Sequence, residues 1–540
     1  MEDHLKHMKA RYFLLIIVML VTISILVTLG LWQISNSQSP LKIESEKTHL
    51  PEAARFISNE APLTIHISLD TNKFPKYIEA LAAESHRKEA RKGAEEFRNG
   101  LFALAGLNYE KDLFDWMSPK ISLSILDSDK VNDNKKWLLA IESKKDHTPA
   151  KYIETFWETK SKEGINIKKI LYKDSEIVTG YINYSGKQLP NLSTCLVDKD
   201  ILLLSTSEDL IKKSIDLSNE NISNQMSDIN TKSIIEKLDN GIGIISISPK
   251  ALHEWFGLSK EVTTRDDFKG LIASFNAENS NILLDGLFKV DGKSDNNQNR
   301  SHDGEYLLNN SNIFAEDYGL ISNPASILDE NNKEFSNQLI RPVLKKALAF
   351  SRTPADYLIA SIEEGEMAWF HDKKEWLLGT RKGSQLPFLE EKLKQKKFIK
   401  TILPQEGYPL KVWSRLKREE QNNADYIKTD LAIILSQEEN KNLWSNSLNL
   451  IEKRDKNNSF IPIYQLSEGL LRKNDDRLSH EVYLGSESAK ETLKDWSPWL
   501  LINSISSKSL QPSIKRLALA FGPEEYNDSE VYLRAMLEFS

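Results

Sequence analysis

The sequence predicts an α+β fold: two tandem, internally duplicated modules of mainly antiparallel sheet with covering helices, behind a single N-terminal transmembrane helix. Three observations carry this. Residues 12–32 form an apolar run without a charged side chain. Strand-like blocks follow one another directly instead of alternating strictly with helices, which favours antiparallel pairing over a doubly wound parallel sheet. Four blocks recur in the same order in the two halves of the chain, the mark of an internal repeat. With 540 residues, 40% of them hydrophobic, the chain has room for several domains at roughly 100–200 residues each.

The apolar run is Tyr12 to Trp32. About 20 apolar residues cross the hydrocarbon core as a helix, and a helix is required because its backbone groups bond internally where no water is present. Lys6, Lys9 and Arg11 precede it, so the positive-inside rule puts the short N-terminus in the cytoplasm and the rest on the far side. A cleaved signal peptide has a shorter apolar core of about 7–15 residues and a small-residue cleavage site; QISNSQSP after the run offers none. The expectation is an uncleaved anchor in the plasma or thylakoid membrane, touching the bilayer through Tyr12 to Trp32, with a periplasmic or lumenal body. The chain then divides into a cytoplasmic tail (1–11), anchor (12–32), polar spacer (33–54), first module (55–292), polar linker (293–312) and second module (313–540).

Within the first module, Pro62 to Leu69 alternates apolar and polar residues, the period of a half-buried strand. His86 to Leu104 carries Ala90, Ala94, Phe97, Leu101 and Leu104 at helical spacing, an amphipathic helix packing on a sheet. Thr148-Pro149 reads as an N-cap and first residue of a helix burying Tyr152, Phe156 and Trp157. Ser207-Glu208-Asp209 starts another, its acids at the positive end of the dipole. Lys199-Asp200 and Asp291-Gly292 read as hairpin turns. Gly292 to Glu305, rich in Asn, Asp and Ser, reads as a linker. Beyond it, Phe335, Leu339, Val343 and Ala347 repeat the helical spacing, with Pro342 as a break or helix start. The helices are expected on one face of the sheets.

The repeat rests on four correspondences. ISLSIL (121–126) matches EMAWF (366–370), and KKWLLAIESK (135–144) matches KEWLLGTRKG (374–383). ILLLSTSEDL (201–210) matches AIILSQEENK (432–441), and LIASFNAENSNILLDGLFKV (271–290) matches LALAFGPEEYNDSEVYLRAMLEF (517–539). Trp137 and Trp376 open corresponding strands and read as core anchors.

Chemistry is sparse. A net charge of -7 gives no electrostatic footprint for nucleic acid. The single cysteine, Cys195, permits no internal disulfide and reads as a buried small hydrophobe. Gly180 to Gln188 lacks the spacing and terminal hydroxyl of a phosphate loop, and a turn at Ser185-Gly186 is the plainer reading. His253-Glu254 and His480-Glu481 have Gly257 and Leu484 where a zincin needs its second histidine. Asp127-Ser128-Asp129 lacks the later ligands of a calcium loop, and His302 to Glu305 reads as solvated. Glu363-Glu364, Glu419-Glu420, and the basic runs Arg87 to Lys92 and Lys392 to Lys400 read as solvated faces. Trp496-Ser-Pro-Trp499 reads as more loop-like, with a contact surface there as the minor alternative. No catalytic, cofactor-binding or metal residue is assigned. The expectation is a non-enzymatic, membrane-tethered binding or scaffold protein with a membrane or envelope protein partner at a cleft between modules. Alternatives are an extracytoplasmic hydrolase, needing a nucleophile and base in contact, and a lipid-handling protein with an apolar cavity.

The order PEAARFISNEAPLTIHISLDTNKF (51–74), LAGLNYEKDLFDWMSPKISLSIL (104–126) and KKWLLAIESK, behind the apolar run, resembles the cyanobacterial, membrane-anchored family known as domain of unknown function 3352. Met117-Ser118 follow Trp116 where that family tends to have glycine, so this turn departs from its pattern. The resemblance implies an anchored, extracytoplasmic protein of the cell envelope or thylakoid lumen of a photosynthetic bacterium. Its motifs are structural and bring no active site.

Overall fold

The computed structural model describes residues 39–540 apart from 42–46, 105–106, 127–135, 146, 148, 185–186, 220–222, 292–314, 350–353, 373, 383–385, 405–408, 422–423, 439, 457–479 and 523–529. The apolar segment 12–32, Thr148, Ser185-Gly186, Asp127 to Asp129, Gly292 and His302 to Glu305 lie outside the described residues. No helix among the described residues is long and apolar enough to cross a membrane.

The first half contributes β1 (Leu63–Ser68), β2 (Met117–Leu126), β3 (Lys136–Ser143), β4 (Asn166–Tyr172), β5 (Ser175–Tyr184), β6 (Lys187–Val197), β7 (Ile201–Ser205), β8 (Gly243–Ile247), β9 (Phe268–Glu278) and β10 (Asn281–Val290). Its helices are α1 (Lys73–Leu81), α2 (Arg87–Leu104), α3 (Ala150–Lys162), α4 (Glu208–Asn219), α5 (Ile229–Lys237), α6 (Pro249–Phe256) and α7 (Lys260–Thr263). The second half contributes β11 (Asp317–Ser322), β12 (Glu366–Asp372), β13 (Glu375–Arg381), β14 (Ile399–Leu403), β15 (Leu410–Gln421), β16 (Ala424–Gln437), β17 (Lys441–Ser445), β18 (His480–Gly485), β19 (Ile514–Phe521) and β20 (Glu530–Phe539). Its helices are α8 (Pro324–Leu328), α9 (Phe335–Ala349), α10 (Pro354–Ala360), α11 (Leu386–Gln395), α12 (Leu448–Lys456), α13 (Ser486–Leu493) and α14 (Ser497–Ile505).

All these strands form one 20-stranded open sheet. Read from one edge, the order is β4, β5, β6, β7, β3, β2, β1, β8, β9, β10. It continues β20, β19, β18, β11, β12, β13, β17, β16, β15, β14. Every pairing is antiparallel, as the runs of adjacent strands require, and the order mirrors itself about the β10–β20 seam. One row of directly opposed residues shows the match. From the seam outward it runs Asp285, Ser274, Ile244, His66, Ser122, Ala140, Leu203, Cys195 in the first half. In the second it runs Arg534, Ala520, Glu481, Leu320, Ala368, Gly379, Leu443, Ser436.

This register pairs Trp137 with Trp376, and side-chain bonds repeat with it. Ser205 Oγ donates to the Trp137 carbonyl at 2.8 Å, and Ser445 Oγ donates to the Trp376 carbonyl at 2.7 Å. It also corrects one correspondence. ILLLS (201–205) stands opposite KNLWS (441–445), not AIILS; the latter is β16, the counterpart of β6. Adjacent strands buried on both faces read alike as apolar runs, so the alignment slid by one strand.

Helices lie on both faces, contrary to the one-face expectation. One face carries α1, α2, α3, α6, α7, α9, α13 and α14 over Ile65, Ile67, Trp369 and Trp376. The other carries the turn Glu52–Phe56 and α4 over Leu138, Ala140 and Cys195, α5 over Ile244 and Leu287, and α12 over Phe370 and Leu377. A sheet this interior is apolar on both sides, so both sides need cover. The segment read as spacer already enters the body: Ala53 and Ala54 are fully buried. Pro342 lies inside α9 rather than at its start; its ring sits on the exposed side, where water can meet the carbonyl it leaves unbonded.

Most of the space between the halves is filled by apolar packing. One apolar cluster joins Leu63, Phe268 and Phe288 to Phe335, Trp369 and Trp499. Helices cross the seam in matched fashion, α7 onto α9 and α14 onto α2. The Phe268 and Phe335 rings lie 4.9 Å apart, Trp496 Nε1 donates to the Phe256 carbonyl at 3.0 Å, and Ala83 N donates to Ser513 Oγ at 2.8 Å.

Candidate functional site

The polar side of β1 does not face water. Register places Thr64 opposite Ser124 and His66 opposite Ser122, and the segment around Asn224 and Gln225 closes over them. That segment is held by a bridge from Ser58 to Asn224, by Gln225 N donating to the Ile57 carbonyl at 3.0 Å, and by Asn224 Nδ2 donating to the Leu217 carbonyl at 3.1 Å.

Beneath it runs a chain of hydrogen bonds. Ser122 Oγ lies 2.9 Å from His66 Nδ1, His66 Nε2 lies 2.7 Å from Gln225 Oε1, and Gln225 Nε2 donates to Thr64 Oγ1 at 3.0 Å. The amide oxygen can only accept, so Nε2 carries the proton and Nδ1 accepts from the Ser122 hydroxyl. The geometry therefore selects one neutral tautomer. Burial lowers the His66 pKa to about 4, against the upward pull of the Gln225 bond. Ser124 Oγ, beside this chain, is buried with no hydrogen-bond partner among the described residues.

A serine hydroxyl against a neutral imidazole is the contact that activates a nucleophile. Here it is sealed: Ser122 is 0% exposed, His66 1% and Gln225 2%, so no substrate atom reaches Ser122 in this conformation. The second half supplies an internal comparison. Where the first has Thr64, His66, Ser122 and Ser124, the matched register holds Tyr318, Leu320, Ala368 and Phe370. The sheet thus builds the same position from apolar residues, and the polar set is a property of the first half rather than a demand of the fold.

A second polar cluster sits on the seam. Arg534 Nε donates to Asp285 Oδ1 at 3.0 Å and Nη2 to Asp239 Oδ2 at 3.3 Å. Asp239 N donates to Asp285 Oδ2 at 2.7 Å, and Thr48 Oγ1 donates to the Asp239 carbonyl at 3.0 Å. Burial raises the Asp285 pKa, while the Asp239 N–H and Arg534 oppose it. A third ties β11 to its neighbours: Asp317 accepts from Gly485 N at 2.7 Å and Ser488 Oγ at 2.6 Å, and its Oδ2 lies 3.2 Å from His371 Nδ1.

The residues singled out in the sequence fall as follows. Cys195 is buried in β6, with its pKa pushed up to about 12 chiefly by burial. Trp376 is fully buried and Trp137 packs at the edge of the first-half core. Trp496 and Trp499 separate: Trp499 is 1% exposed and Trp496 41%. His253 Nδ1 donates to the Leu258 carbonyl at 2.8 Å, and His480 Nδ1 accepts from Ser322 N at 3.2 Å. Burial raises the Glu363 pKa, so this carboxyl is not simply solvated. Among the described residues are two open grooves, the first of them mostly polar. One of about 730 Å³ is lined by Asn323, Ser326, Asp329, Ser361 and Glu364. The other, of about 550 Å³, lies between the halves at Glu261, Arg265, Asp266, Lys333 and Gln338. Among the described residues no group of three or more His, Cys, Asp or Glu could hold a metal ion.

No sequence motif marks His66 or Asp317. For His66 there is a weaker signal: polar residues at every second place in both Thr64-Ile-His66 and Ser122-Leu-Ser124, between apolar neighbours.

Comparison with known proteins finds no match among curated proteins and none among solved structures. One family model, described as "Protein of unknown function (DUF3352)", matches residues 15–535. The match covers both halves and the seam, and the chain belongs to the DUF3352 family.

Proposed function

We propose that the protein is a membrane-anchored, extracytoplasmic scaffold: Tyr12 to Trp32 spans a plasma or thylakoid membrane, and a tandemly duplicated body holds a membrane or envelope protein partner on the periplasmic or lumenal side. The observation that carries this reading is the mirrored strand order about Asp285 and Arg534. At ~4.8 Å per strand, the continuous sheet extends roughly 90 Å. Helices crossing the seam and a shared apolar cluster make the halves one stiff platform. Such a body suits holding partners at fixed separation better than closing around a small substrate. Duplication is supported by Ser205–Trp137 and Ser445–Trp376, the same bond in the same place on both halves.

The test uses the full chain in its native membranes. Alkaline carbonate should leave it in the membrane pellet, and protease added to right-side-out vesicles should digest the body. A cross-linker should join it reproducibly to the same membrane or envelope protein. Release by carbonate, or a body shielded until lysis, removes the topology; no reproducible adduct removes the scaffold.

One observation favours a second reading, the hydrolase. Ser122 and His66 are in contact, and displacement of Gln225 would open them. Covalent labelling of Ser122 in the native protein by a fluorophosphonate would replace the scaffold reading with this one. Absence of labelling, with Ser122 reacting only after unfolding, would end it.

A further inference from the structure

We propose that α14 and the adjoining part of α2 form a docking face that lies on the bilayer carrying the protein's own anchor, with α14 seated at the headgroup level. This rests on the membrane-anchor reading above. Three large apolar side chains stand exposed within two turns of chain: Trp496 at 41%, Leu500 at 50% and Leu501 at 58%. They are not loosely placed. Trp499 on the inner side of α14 is 1% exposed and joins the central cluster with Ile502, so the helix is fixed and its outer side is offered to solvent. An apolar helix side with a tryptophan at its start matches an interfacial helix, because the indole favours the boundary between headgroups and acyl chains.

Charged side chains surround the face. α14 packs on α2, whose exposed residues include Arg87, Lys88 and Lys92; Lys494 and Lys508 flank α14 and are exposed. Some of this charge is balanced locally, Lys92 by Glu96 at 3.5 Å and Lys494 by Glu491 at 2.5 Å. Exposed Glu84, Glu89 and Asp495 stand among these bases, so the rim is mixed in charge, and it is the apolar side of α14 that fits the boundary between headgroups and acyl chains.

Chain length supplies the proximity. Leu41 packs against the same apolar cluster as Trp499. From Trp32, where the apolar segment ends, to Ser39 there are few residues, a reach of at most about 25 Å at ~3.5 Å each. The point of tethering therefore sits in the layer that contains α14, and the bilayer is within reach of that layer.

The test exploits the inert cysteine. Cys195 is buried, so Leu501→Cys in the full-length chain provides one reactive thiol for a nitroxide label. Ile229→Cys, 80% exposed on α5 across the sheet, gives the control. Both proteins are reconstituted in phosphatidylcholine vesicles with and without phosphatidylglycerol. The expected result, in both lipid mixtures, is several-fold greater collision of the 501 label with oxygen, enriched in lipid, than with an aqueous nickel chelate, with the reverse ratio at 229. Water-like collision at 501 in protein that alkaline carbonate leaves in the vesicles overturns the docking face and spares the anchor. Dipolar broadening at 501 with water-like collision also overturns it, in favour of a second copy. Loss of the protein to carbonate removes anchor and docking face together.

Discussion

Asp285 and Arg534 face each other across the β10–β20 ladder, joined at 3.0 Å, and each occupies the other's place in the mirrored strand order. In two identical copies related by a twofold axis, one residue would meet itself there, acid against acid or base against base. Opposite charges at this point require two halves that differ within one chain. The ion pair thus marks where the mirrored halves of the sheet meet and differ.

Removing either partner leaves a mostly buried charge. Arg534→Ala should cost about 1.5–3 kcal/mol, the range for hydrogen bonds to charged groups, measured by urea unfolding. Asp285→Arg alone sets two guanidiniums together and should cost more. The exchange Asp285→Arg with Arg534→Asp should recover much of that loss. Recovery should be incomplete, because Asp239 N donates to the Asp285 carboxylate. A double exchange as unstable as the sum of its parts would contradict the equivalence of the two positions.

The His66 chain should behave as a unit. Ser122→Ala leaves His66 Nδ1 buried without its donor and should destabilise by about 1–3 kcal/mol. His66→Leu with Ser122→Ala and Gln225→Leu installs the apolar solution that Leu320 and Ala368 provide in the other half. It should cost far less than the summed single changes. Additive losses in denaturant unfolding would show that the first half depends on these polar groups for its fold.

Acid should weaken the protein through the same residue. The folded-state pKa of His66, about 4, lies below the unfolded value near 6.5, so the unfolded chain takes up the proton first. Stability is unaffected by this group above about pH 6.5, falls as pH drops from there to about 4, and levels below. At 1.36 kcal/mol per unit, the loss is on the order of 3 kcal/mol. Carboxyls raised by burial, such as Asp285 and Glu363, act in the opposite sense, so the readout is the difference from His66→Gln. That variant should lose the slope between pH 6.5 and 4; an unchanged slope would assign it elsewhere.

Cys195 should be silent. A buried thiol with its pKa near 12 has almost no thiolate at neutral pH. An aromatic disulfide reagent should titrate no thiol in the native protein and one after denaturation, read by absorbance. Fast native reaction would contradict its burial in β6.

The sequence displayed what is local. The spacing of Ala90 and Ala94 marked α2, and the aromatic pair Phe156-Trp157 marked α3. Trp137 and Trp376 marked the matched strands. Antiparallel pairing was legible because strands follow one another without crossover helices. The seam was not, because Asp285 and Arg534 lie far apart in the chain and pairing at that distance leaves no periodic trace. Alternation in β1 predicts one wet face, since period two reveals which residues share a face but not what covers it. The covering residues, Asn224 and Gln225, lie in a short connection between α4 and α5 with no pattern of their own. The chemistry of His66 therefore became visible only when that connection was placed.

Hydrogen exchange along the seam tests the single-sheet account most directly. If β10 and β20 join the halves into one platform, amides around Leu287 and Leu533 should exchange only through global unfolding, as slowly as those of β1 and β12. Rapid exchange at the seam, with β1 and β12 still protected, would mean that the halves are separate bodies and would contradict the account.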